Sequence, residues 1–168
     1  MGASTKDFTR AKGNVNIVVT DSKSGLEKDR REIHNMVVDV GLEYIISRMA
    51  SADTNVMTHM ALGSGSTPED GSSTDMEAAL GPRQSLSSTQ IADSGIGVND
   101  SIRYNAAWFE GESLGTINEA GLFNNGTSGQ GIMLARTTFP TIIKQQNDIL
   151  TVEWTITLEP EYLSSSGG

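Results

Sequence analysis

The clearest pattern in the chain runs over Ile149–Leu158. Leu150, Val152, Trp154, Ile156 and Leu158 alternate with Thr151, Glu153, Thr155 and Thr157. One face is apolar and the other polar, which predicts a strand covering a core on one side only. Asn14–Thr20 repeats the period with Val15, Ile17 and Val19. Asp21-Ser-Lys-Ser-Gly25 then supplies turn chemistry, an Asp to accept backbone hydrogen bonds and a Gly for positive φ. Leu26–His34 returns as a charged strand. Its run from Glu27 to Glu32 suits an exposed or edge position, where charge discourages stray pairing. The first element is therefore a hairpin.

The period changes after Asn35–Val40. Leu42, Ile45, Ile46 and Met49 fall at i, i+3, i+4 and i+7, which predicts one helix from about Val40 to Ala50 with those residues on its core face. Asp39 is its expected N-cap. Val56–Leu62 reads as a short buried strand. Gly63–Gly81 reads as a long polar loop, in which Thr74 or Asp75 could cap one helical turn. Further strands are expected over Arg83–Thr89, Ser101–Phe109, Thr116–Phe123 and Ile132–Phe139, with Thr141–Asp148 as a connection. The internal Gly121 suggests a bulge or close backbone approach, and Asn124–Gly131 is a hairpin turn. About eight strands with turns roughly every 8–12 residues predict a mainly β fold, an antiparallel sandwich or barrel with one helix. The organisation is a flexible arm over 1–13, a single β-rich domain over 14–158 and a tail over 159–168.

Composition narrows the function. The chain has 168 residues, of which Gly, Ser and Thr make up 53, and aromatics only 5%. It has no cysteine, which excludes disulfides, thiolate metal sites and Cys nucleophiles. The net charge of −9 repels phosphate backbones and anionic membranes, so neither nucleic acid nor membrane is an expected partner. No stretch approaches the ~20 apolar residues that span a bilayer.

Candidate chemistry is sparse. Gly63-Ser-Gly-Ser-Thr67 lacks the Lys of a phosphate loop, and no Lys stands between Lys28 and Lys144. Asp21–Gly25 begins like a calcium loop, but Lys23 sits where an oxygen ligand is needed. Glu69, Asp70, Asp75 and Glu77 crowd one loop and read as solvated or as adventitious cation ligands. His59, in an apolar strand, reads as a core or interface residue, and His34 as solvated. No Ser sits in a strand–helix nucleophile elbow. Glu119 and Arg136 lie in apolar runs on opposite sides of a hairpin. Buried carboxylates need partners and Arg offers two-pronged ones, so a structural ion pair is expected, with Arg83 and Arg103 as other partners of Glu119. Trp108 and Trp154 could anchor a sugar or sit in the core. No cofactor and no catalytic or metal-binding residue is assigned.

Three segments in order carry a resemblance. Gly41–Met49 leads into Met57-Thr-His-Met-Ala-Leu-Gly-Ser-Gly-Ser-Thr67; Ala79-Leu-Gly-Pro-Arg83 follows; Ile117-Asn-Glu-Ala-Gly-Leu-Phe123 then precedes Gly131-Ile-Met-Leu-Ala-Arg136. Over roughly residues 15–158 this order resembles the tail-collar and tail-fibre modules of tailed bacteriophages, with their G-x-G turn, Leu…Arg segment and E-x-G-L-F hairpin. The resemblance implies a non-enzymatic structural protein of the virion, in the tail, baseplate or fibre-attachment region. Its partners would be other copies of itself, as a trimer or higher, and other virion proteins. A capsid decoration protein is the alternative and a carbohydrate-binding module the second. The expected interface comprises Met1, Lys6, Arg10 and Lys12 of the arm, Pro68, Glu69 and Asp70 of the long loop, and Trp108. Arm and loop are expected to order only in the assembly.

Overall fold

The computed structural model describes residues 9–50, 55–95 and 100–160. The fold is mainly β. The described residues form nine strands, β1 (Thr9–Asp21), β2 (Glu27–Val37), β3 (His59–Gly63), β4 (Gln84–Ser85), β5 (Ser88–Ala92), β6 (Ser101–Trp108), β7 (Gly115–Phe123), β8 (Met133–Lys144) and β9 (Asp148–Pro160). One helix, α1 (Asp39–Met49), follows β2. Every strand pair is antiparallel, in the order β4-β3-β7-β8-β2-β1-β9-β6-β5, and the sheet curls into a half-barrel.

The alternating segments make the spine. β9 pairs with β1 along its whole length, from Thr9 opposite Pro160 to Asp21 opposite Asp148. Val15, Ile17 and Val19 face inward with Leu150, Val152, Trp154 and Ile156, all buried. Each such side chain contributes about 1.5–3 kcal/mol by leaving water. Leu158 ends the pattern half-exposed. The first hairpin closes on Asp21, whose Oδ1 accepts from Lys23 N, Ser24 N and Ser24 Oγ, with Gly25 at φ +71°.

Several boundaries differ from the expected ones. β1 starts at Thr9, so Thr9–Gly13 belongs to the sheet and not to an arm, and β9 carries the domain to Pro160. The expected strand over 83–89 divides into β4 and β5, which lie at opposite ends of the sheet. β8 continues through the expected connection to Lys144, passing Pro140 at a bulge opposite Asn118. Asn118 Nδ2 donates to Thr141 Oγ1 (2.8 Å) across that bulge. β2 is an inner strand by order, yet it meets β8 only at Met36 opposite Arg136 and Val37 opposite Ala135. Its charged stretch has a strand neighbour on one side only. No helical turn forms at Thr74 or Asp75. That segment instead runs along β3, with Leu80 N donating to Leu62 O and Ala78 O accepting from Ser64 N.

The helix is present, but its orientation is not the expected one. Val38, extended and without a side-chain cap bond, is the N-cap, and Asp39 is in the first turn. Gly41 and Tyr44 are the buried positions, whereas Leu42, Ile46 and Met49 are exposed. The cause is Gly41. A Cβ there would lie 2.1 Å from the Leu134 carbonyl oxygen, so only glycine lets the helix rest on the β8 backbone. Approach through Gly41 turns Tyr44 inward and the aliphatic stripe outward.

Candidate functional site

The long loop Gly63–Gly81 and the β7–β8 pair meet at one buried carboxylate. Glu119 is fully buried on β7, beside Arg136 of β8. Arg136 Nη2 lies 2.8 Å and Nε 2.9 Å from Glu119 Oε2. Glu77 N donates to the same oxygen (3.1 Å), while Gly65 N (3.1 Å) and Ala78 N (2.7 Å) donate to Oε1. Gly63 and Gly65 are needed for this closure, since a Cβ on either would come within 2.4 or 2.6 Å of Oε1. Arg136 also reaches Thr67 O (3.2 Å) and Glu77 Oε2 (3.5 Å).

Five donors fill the acceptor capacity of Glu119, which has about four lone-pair sites. A carboxylate so occupied cannot accept a proton from a substrate without breaking the bonds that hold the loop. Its chemistry is that of a fastener. Glu69 fixes the loop a second time, accepting from Thr138 N (3.1 Å) and Thr138 Oγ1 (2.6 Å). Asp70 accepts from Ser72 Oγ and N, and Pro68 stands exposed. These bonds tie Gly63–Gly81 to β7 and β8 of the same chain. Hydrogen bonds from the Thr67 hydroxyl and amide hold the Glu77 carboxyl below its ordinary range, as those from Ser72 do for Asp70.

Arg83 has a different partner from the one expected. Its Nη2 pairs with Asp75 Oδ1 (3.0 Å), and Nη1 donates to Asn125 O (2.8 Å) and Gln130 O (2.9 Å). The guanidinium lies 3.5 Å over the Phe123 ring. Arg83 thus clasps the β7–β8 turn and does not reach Glu119. Arg103 approaches Glu153 instead. His59, next to this clasp, shares bonds with Thr58 Oγ1 (2.8 Å) and Ser85 Oγ (3.2 Å). Burial, then the nearby Arg83 charge, lowers its pKa.

The remaining expected interface positions divide three ways. Met1 and Lys6 lie outside the described residues. Arg10 stands in β1 opposite Glu159, and Lys12 forms an ion pair with Glu159. Trp108 is buried, contrary to the interface expectation, because β6 turns it inward with Tyr104 and Ala106. Trp154 is buried too, its Nε1 donating to Asn35 Oδ1 (2.9 Å), so neither indole can stack on a sugar.

Sequence reasoning missed two sites. Lys144 is buried on β8 with Nζ donating to Phe109 O (2.7 Å); loss of water lowers its pKa. The other is an apolar cleft beside α1. One part, about 230 Å³, is lined by Tyr44, Ile45, Ile91, Ile102 and Leu158. A second, about 410 Å³, is lined by Tyr44, Ile45, Arg48, Val56 and Met57. Periodicity revealed the apolar stripe of α1 but assigned it to the core.

Among the described residues no three His, Asp or Glu side chains converge on a metal position. No described helix is long and apolar enough to cross a membrane. Comparison with protein-family models, with curated proteins and with solved structures finds no match.

Proposed function

We propose that this chain is a non-enzymatic structural subunit of a tailed-bacteriophage particle, placed in the tail, baseplate or fibre-attachment region. It assembles with other copies of itself and with other virion proteins. One observation carries the reading: α1 is seated on β8 through Gly41, yet it presents Leu42, Ile46 and Met49 to solvent. A fixed, exposed apolar stripe is the mark of a contact surface. The polar cluster supports the same reading from the other side, because Glu119, Arg136 and Arg83 are all engaged in holding backbone. The phage assignment itself rests on the resemblance of the sequence segments, two of which meet at Glu119 through Gly65 and Arg136.

The test is to raise antibodies to the purified chain and image gold-labelled particles from the source culture. Label on the tail or baseplate supports the proposal. Label on the head moves the chain to capsid decoration, and particles free of the chain overturn a virion role.

A further inference from the structure

The exposed stripe of α1 has a flank of definite charge. At 3.6 residues per turn, Leu42, Ile46 and Met49 fall within about 60° of arc. They are 44%, 64% and 80% exposed. Ile45 follows on one side and leads into the cleft, where Val56 (57%) and Ile91 (70%) continue the apolar surface. Asp39 and Glu43 follow on the other side. Asp100 borders the far end of the cleft, its carboxyl held below the ordinary range chiefly by the Ser94 hydroxyl. Arg48 is the cation along this border. The surface is therefore an apolar ridge and cleft with an acidic rim, on a chain of net charge −9.

We infer that this surface docks a basic amphipathic helix of a different protein. The apolar spacing i, i+4, i+7 matches the seam of a partner helix. The rim selects its charge: Lys or Arg beside the partner's apolar anchors would face Asp39, Glu43 and Asp100. A second copy is a poor occupant by the same argument. In an antiparallel two-fold pairing through α1, each Asp39–Glu43 flank meets the same flank of the other copy, which carries no cation, and a parallel pairing offers it Arg48 alone. The inference rests on the assembly reading and names one partner chemistry within it. Contacts between copies then fall to the sheet edges at β4 and β5.

The test titrates the full chain against three labelled helical peptides of equal length: a Lys/Leu amphipathic helix, a Glu/Leu counterpart, and a Lys/Ser peptide with the same positive charge and no apolar face. The Lys/Leu peptide is expected to bind and the other two are not. Ile46→Ser, which leaves charge unchanged, weakens Lys/Leu binding at least about tenfold, and Glu43→Lys weakens it in a salt-dependent way. Circular dichroism of each variant confirms that the exposed substitutions leave the fold intact. Equal binding of the Lys/Ser and Lys/Leu peptides, or no effect of Ile46→Ser, overturns the inference. So does self-association of the chain that Ile46→Ser abolishes. Failure of the peptide arms with the chain still found on particles contradicts this docking alone; binding with the chain absent from particles contradicts the virion role alone.

Discussion

Glu119 shows how one residue sets the course of nineteen others. The loop Gly63–Gly81 has little apolar content to anchor it, and it is held because three of its amides and Arg136 converge on that carboxylate. Glu119→Gln keeps the shape and leaves Arg136 buried without its counter-charge. A loss of about 3–5 kcal/mol in urea unfolding is expected, and unchanged melting would contradict the pairing. Gly65→Ala should weaken the same cluster, seen as faster hydrogen exchange at Glu77 and Ala78. A second ion pair gives a pH signature. Burial raises the pKa of Asp148, but the Lys28 ammonium and the Gln145 amide bonded to it outweigh that and hold the carboxyl below its ordinary range. The folded state therefore binds this proton less readily than the unfolded chain. The stability it contributes is complete above the unfolded value and is lost as pH falls through the folded one. Asp148→Asn should flatten the acid limb of stability against pH; an unaltered limb would contradict this assignment.

At the scale of elements, the legibility of the sequence followed the range of the forces involved. Strict alternation over Leu150–Ile156 and Val15–Val19 reported a local fact, which face is apolar, and both strands form there. The facing apolar runs around Glu119 and Arg136 were legible because a buried charge needs a partner in space, and a hairpin turn brings these two runs together. The rotation of α1 was not legible. It depends on Gly41 meeting the Leu134 carbonyl, a contact across nearly a hundred residues that periodicity does not encode. Arg83 was misassigned for the same reason, since its partners are carbonyls of a turn whose position the sequence alone does not give. Gly41→Ala tests the account of α1. Its methyl must displace either helix or strand, and about 1–3 kcal/mol of destabilisation is expected. Hydrogen exchange should quicken over Asp39–Met49 more than in β1 or β9. Uniform change across the chain would show that α1 is not seated through Gly41.

At the scale of the whole molecule, the polar groups near the candidate site are directed inward and the unsatisfied apolar surface outward. The half-barrel supplies a stiff frame through the thirteen paired positions of β1 and β9. The Glu119 cluster and the Arg83 clasp fix the loop and turn at one side. The acidic-rimmed surface of α1 is the part to which the proposed function assigns the contact. If the chain functions by contact, that surface must change state when the particle assembles. Hydrogen exchange on the isolated chain and on chain within purified particles reads this directly. The account predicts slower exchange over Asp39–Met49 and Ser88–Ala92 in particles, with little change in the Glu119 cluster. Equal exchange at α1 in the two states would contradict it.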